Sequence, residues 1–207
     1  ATGAADGYAR MADRPAAVLL HLGPGLGNGL ANLHNARKGH TPVVNIVGDH
    51  ATYHKPFDAQ LESDIETVAR NVSTWIRTSA SLEEVAADAA DAVAVASGPP
   101  AQIAMLILPA DVSWSEGATP ASPVAPAEPT APDPAAIAAI AAVLQGDEPA
   151  ALFVGGRACR ADALVDASRI ANTTGAKLLA ETFPARIERG AVDRAEHLAA
   201  LVADVAV

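Results

Sequence analysis

Short, unbroken apolar runs alternate with longer stretches of helical period along this chain. Ala16–His21, Pro42–Val47 and Gln102–Leu108 are built from Ala, Val, Leu, Ile and Met, and each sits beside a Pro or Gly. That is the pattern of strands buried on both faces. After the first run comes a glycine-dense stretch, Gly23–Gly29, expected as a loop. Leu30, Leu33 and Ala36 then recur at helical spacing and predict a helix over Leu30–Lys38. Asp64–Val72 predicts a helix and Ser73–Thr78 a short strand. Ser81 is a suitable N-cap for a helix over Leu82–Ala96, with Glu83 and Glu84 where the helix dipole favours acids. Ala1–Arg10 reads as the later part of a small-residue helix. Strand, glycine turn, helix, strand defines an α/β unit with a parallel sheet.

The pattern breaks at residues 116–134, where Pro120, Pro123, Pro126, Pro129, Pro132 and Pro134 stand among Ala, Ser and Thr. Such spacing suits neither helix nor sheet interior, and it predicts an extended linker. Beyond it the alternation resumes: a helix over Ala135–Gln145, a strand over Ala150–Val154 into Gly155-Gly156, a helix over Arg160–Asn172 and a strand over Ala176–Ala180. The expected organisation is one α/β domain over 1–115, the linker, and a second, Rossmann-like domain over 135–207 that is only partial.

Composition narrows the function classes. The net charge of −10 is spread over both halves and disfavours nucleic acid or an anionic membrane as the main partner. No apolar run reaches the length of a membrane span. Cys159 is the only cysteine, so neither an intrachain disulfide nor a cysteine metal cluster is possible, and a reducing cytoplasm is the expected compartment.

The candidate chemistry lies in His21-Leu22-Gly23-Pro24-Gly25-Leu26-Gly27-Asn28. A dinucleotide fingerprint, G-x-G-x-x-G, fails in both registers, because its third glycine would fall on Asn28 or on Leu30. A Walker loop fails because no Gly-Lys-Ser/Thr follows. His21 is either a structural strand-end residue or a proton-transfer group suited to neutral pH. Asn28 is a helix N-cap, a ligand contact, or both. His50 and His54 form a His-x-x-x-His pair without an evident third ligand, so no metal site is assigned.

The segment resembles the pyrimidine-binding domain of thiamine-diphosphate-dependent enzymes. Gly23-Pro24-Gly25-Leu26-Gly27-Asn28 is similar to the Gly-Pro-Gly-x-x-Asn of acetolactate synthases. His21, Gly25, Gly27 and Asn28 are similar to the His-x-x-x-Gly-x-Gly-Asn of benzoylformate decarboxylases. The likeness continues in Gly7-Tyr8-Ala9-Arg10, in Pro42–Gly48, in Asp58–Asp64 and in the Pro-x-Asp-Val of Pro109–Val112.

The resemblance implies a carbon–carbon lyase or transferase acting on a 2-oxo acid, with thiamine diphosphate as electron sink. His21 would be catalytic, and Gly23, Pro24, Gly25 and Asn28 would contact the cofactor. Gln60 and Leu61 would line the substrate pocket, Leu61 standing where synthases place a glutamine and Gln60 where they place a phenylalanine. Magnesium would be held through a diphosphate-binding domain not found in this sequence, and flavin is not expected on Gly155-Gly156-Arg157. The family's activating glutamate would fall a few residues upstream of Ala1. A homo-oligomer, dimer or tetramer, is implied for a longer parent, and the chain as given is expected to be inactive. A non-catalytic, NAD-type nucleotide-binding or regulatory module is the competing reading.

Overall fold

The computed structural model describes residues 1–188 and the short strand Glu196–His197. It divides into two compact units, Ala1–Glu128 and Pro129–Val207. Residues 117–133 are exposed and carry no regular secondary structure.

The first unit runs α1 (Thr2–Ala12), β1 (Ala16–His21), α2 (Leu22–Lys38), β2 (Val43–Asp49), a 3-10 turn at Lys55–Phe57, α3 (Ile65–Ala69), β3 (Trp75–Thr78), α4 (Leu82–Ser97), β4 (Ile103–Pro109) and α5 (Ala110–Trp114). Its sheet is wholly parallel, in the order β1-β2-β4-β3. The central strands are buried on both faces, with Val43, Val47, Ile103 and Met105 at 1% exposure or less, which is why they read as unbroken apolar runs. β1 is an edge strand and alternates instead: Ala16, Val18 and Leu20 face the core, while Ala17, Leu19 and His21 are exposed.

One face of the sheet packs on α1, α2 and α3 through Leu26, Leu33 and Ile65. The other packs on α4, whose Ala92 and Ala96 rest on Val44 and Ala104. The helices that follow β2 and β3 therefore lie on opposite faces, and a crevice opens at the carboxyl ends of those strands. A partly buried ionic cluster fixes α4: Arg77 Nη1 donates to Asp88 and Asp91, each at 2.8 Å, and Ser79 Oγ donates to Asp88 at 2.8 Å. Ser81 occupies the N-cap position of α4, but its side chain accepts no helix amide.

The second unit contains α6 (Pro134–Leu144), β5 (Ala151–Val154), a 3-10 turn at Gly156–Cys159, α7 (Ala161–Thr174), β6 (Lys177–Ala180) and β7 (Glu196–His197). β5, β6 and β7 form a second parallel sheet in that order. Val154, Leu164, Ala167 and Leu178 make its core. Asp133 caps α6 by accepting the Ala135 amide at 3.0 Å, with Pro134 in the first turn.

The glycine segment departs from expectation. Gly23–Gly29 is not a loop, because α2 begins at Leu22, directly after the last residue of β1. Four glycines and a proline inside a helix are unfavourable by propensity. Tertiary packing overrides that cost, since Gly23 and Gly29 let neighbouring segments approach closely. A Cβ on Gly29 would lie 2.8 Å from Thr2 Cγ2, so a glycine there lets α1 lie against α2. Pro24 stands in the first turn, where its missing N–H costs no helical hydrogen bond.

Candidate functional site

With no loop between β1 and α2, the chain turns from strand to helix within two residues. His21 occupies the N-cap position with extended backbone, and Leu22 takes the left-handed conformation, φ 56°. A branched residue in that region costs about 1–2 kcal/mol. Leu22 is only 4% exposed, and burying a leucine contributes about 1.5–3 kcal/mol, enough to hold the turn. The result is a sharp elbow that leaves the His21 side chain exposed at the carboxyl end of the sheet. Gly25 sits behind it: a Cβ there would be 3.5 Å from His21 Cβ. The first turn of α2 has no acidic residue and no side-chain cap.

The residues after β2 close on this elbow. Gly23 packs against Ser63 so tightly that a Cβ would lie 2.3 Å from Ser63 Cβ and Oγ. His50 Nε2 donates to the Gln60 carbonyl at 3.1 Å, and the His50 amide donates to Asp49 Oδ1 at 2.7 Å. Leu61 has φ 72° and is 43% exposed, so its side chain is held out by a left-handed backbone. Ser63 thus meets the elbow at Gly23, Gly25 lies against His21, and Gln60 is tied by its carbonyl to His50. Asn28 is not part of the elbow. It lies inside α2, exposed, and the N-cap position belongs to His21, so the N-cap reading of Asn28 is corrected. The cause is the early start of α2, which moves Asn28 from the helix entrance into its second turn.

Ion pairs anchor the Ala51–Glu62 segment. Lys55 Nζ donates to Asp49 at 2.7 Å and to Glu62 at 2.9 Å. Burial works against the Lys55 ammonium, yet the hydrogen bonds to Asp49 and Glu62 outweigh it and raise its pKa. The Lys55 hydrogen bond holds the Glu62 carboxyl below its ordinary range. Thr52 donates its hydroxyl and its amide to Asp111, lowering that carboxyl in turn. Beneath the segment lies a cavity of about 570 Å³, lined by Asp49, Lys55, Glu62, Ser63, Thr78 and Pro109 among others. None of the seven residues singled out from sequence lines it.

His50, Lys55 and Ser63 were missed from sequence. His-x-x-x-His drew notice only as a metal pair, whereas the His50 and His54 rings meet edge to face at 5.7 Å. Among the described residues no three His, Cys, Asp or Glu side chains gather in a metal-holding arrangement, and no helix is long and apolar enough to cross a membrane.

Known proteins share this architecture. Residues 1–70 match the family described as thiamine pyrophosphate enzyme, N-terminal TPP binding domain. A Mycobacterium tuberculosis protein named "Putative acetolactate synthase large subunit IlvX" is 58% identical over 96% of this chain, which spans 38% of that protein. The benzoylformate decarboxylase of Pseudomonas aeruginosa is 32% identical over 56% of this chain and 22% of its own length. Among solved structures, "a putative thiamin diphosphate-dependent enzyme isolated from Mycobacterium smegmatis" superposes with a TM-score of 0.79 at 30% identity, covering 89% of this chain and 36% of that one. Residues 1–70 carry the N-terminal domain of the thiamine-diphosphate-dependent enzymes, and the first unit has the fold of their pyrimidine-binding domain. The chain spans well under half the length of these relatives.

Proposed function

We propose that this chain supplies the pyrimidine-binding face of an enzyme that breaks or forms the carbon–carbon bond next to a 2-oxo acid carbonyl. The observation that carries this reading is the elbow at His21. It combines an exposed imidazole, an uncapped helix start and a glycine-lined backbone, with Ser63 packed against Gly23. A flat ring can approach backbone beside Gly25, which presents no side chain, while Gly23 lets Ser63 close on the elbow. The bound thiamine diphosphate supplies the electron sink. Gly23, Pro24 and Gly25 contact its pyrimidine half, and His21 gives or takes a proton at the reacting carbon. Leu61, an apolar side chain, shapes the substrate pocket with Gln60 and favours an apolar substituent on the 2-oxo acid. Asn28, exposed in the second turn of α2, is a further candidate contact for the cofactor.

Magnesium and the diphosphate fall to a further domain of a longer polypeptide, and a homo-oligomer completes the site. The acidic charge and single cysteine fit a cytoplasmic enzyme. The test is calorimetry of the natural polypeptide that carries this sequence, with thiamine diphosphate and magnesium against NAD, followed by release of carbon dioxide from aryl and alkyl 2-oxo acids. Binding of thiamine diphosphate with turnover of a 2-oxo acid supports the reading. Binding of NAD without thiamine diphosphate returns the chain to the nucleotide-module class.

A further inference from the structure

The second unit has its own strand–glycine–helix turn, and two of its carboxylates already sit on it. β5 ends at Val154 and passes into Gly155-Gly156, next to Ala180 at the end of β6. Glu181 follows β6 directly, its amide bonded to the Val154 carbonyl at 2.9 Å. From there Glu181 Oε1 accepts the Gly156 amide at 2.5 Å. A Cβ on Gly155 would meet the Glu181 carboxyl at 3.0 Å, so glycine is what lets the carboxylate settle into the turn. The second carboxylate closes the start of α7: Glu188 Oε2 accepts the Ala161 amide at 2.8 Å. Glu188 is held there by an ion pair with Arg186 and by its own amide, which donates to the Cys159 carbonyl at 3.2 Å.

A glycine turn leading to a helix N-terminus is where α/β units hold phosphate, through backbone amides and the positive end of the helix dipole. Here both kinds of amide are occupied by the chain's own anions. We propose that Glu181 and Glu188 act as built-in substitutes for phosphate and close this unit to nucleotides and other diphosphates. An incoming diphosphate must displace two carboxylates already bonded to the amides it would use, and it meets their charge as it approaches. The Arg186 guanidinium, which would otherwise attract an anion, is already engaged with Glu188.

The test is calorimetry of the full chain with ADP and with inorganic pyrophosphate as probes. The unmodified protein is expected to show no saturable binding of either. Removing both carboxylates, Glu181→Ala with Glu188→Ala, is expected to tighten pyrophosphate binding by at least about tenfold, with circular dichroism confirming the fold. If the double variant does not fold, Glu181→Ala alone opens the Gly156 amide while α7 stays capped, and it carries the same expectation. Saturable binding of ADP by the unmodified chain, or no gain in a folded variant, overturns the proposal.

Discussion

The two glycine turns of this protein have opposite electrostatics. At the β1–α2 elbow the helix starts without a cap or an acidic residue in its first turn, and the nearest ionisable side chain on the turn itself is the exposed His21. At the β5–α7 turn the Gly156 and Ala161 amides are engaged by Glu181 and Glu188. Glycine density therefore does not mark a binding site by itself. What distinguishes the turns is whether the chain satisfies the exposed amides from within.

The largest expected effect breaks the open turn at its chemistry. His21→Ala in the natural polypeptide is expected to lower kcat about 100-fold or more, the range for losing a proton-transfer group. The affinity for thiamine diphosphate should stay within about threefold, because the imidazole is exposed and bears little of the fold. Unchanged turnover would return His21 to a structural role.

Next comes Gly23→Ala. Its Cβ would meet Ser63 at 2.3 Å with the Ser63 Cα only 3.8 Å away, so backbone must move. A loss of about 1–3 kcal/mol is expected in urea unfolding, the usual cost of overpacking. Gly155→Ala provides the contrast. Its nearest neighbour is the end of the Glu181 side chain, which can swing aside, so about 1 kcal/mol or less is expected. An equal cost at both positions would remove the steric distinction between the turns.

A pH series separates the ion pairs. The Glu62 carboxyl is held low by its Lys55 hydrogen bond, and Glu188 by the Ala161 amide and then by Arg186. Folded-state values below the unfolded ones mean that both contribute stability above the ordinary glutamate range. That contribution is lost as pH falls through their lowered values. Lys55 is raised, so its share is lost only as pH climbs through a value above 10.5. Glu188→Gln is therefore expected to lower stability at neutral pH and to converge with the unmodified protein at the acid end, which flattens the acid limb of the stability curve. Thermal melts between pH 3 and pH 7 read this directly.

The smallest effect is Gly27→Ala. Nothing lies within 4 Å of a Cβ there, and the residue is inside α2. A gain of about 0.5–1 kcal/mol in thermal stability is expected from helix propensity alone. A loss would mean that the solvent face of α2 is covered in the intact protein.

Much of this protein was already legible in the chain. Pro42–Val47 and Gln102–Leu108 announced buried parallel strands because covered strands need apolar side chains on both faces, whereas Ala16–His21 read the same way and proved to be an edge strand with one face exposed. The motif around His21 pointed to the family for a related reason: an approach to backbone requires glycines at particular places. Strand order was not legible, since β4 inserting between β2 and β3 depends on pairings between distant segments. Nor was the start of α2. Local propensity reads Gly23–Gly29 as a loop, and only Ser63, His21 and Thr2 packing against those glycines makes a helix the better answer. The same early start of α2 took the N-cap position from Asn28 and gave it to His21, and Ser63 packed against Gly23 only through the tertiary fold. Tertiary structure also decided that one glycine turn stays open and the other is filled, because a carboxylate from a neighbouring strand end is close only after the sheet has formed.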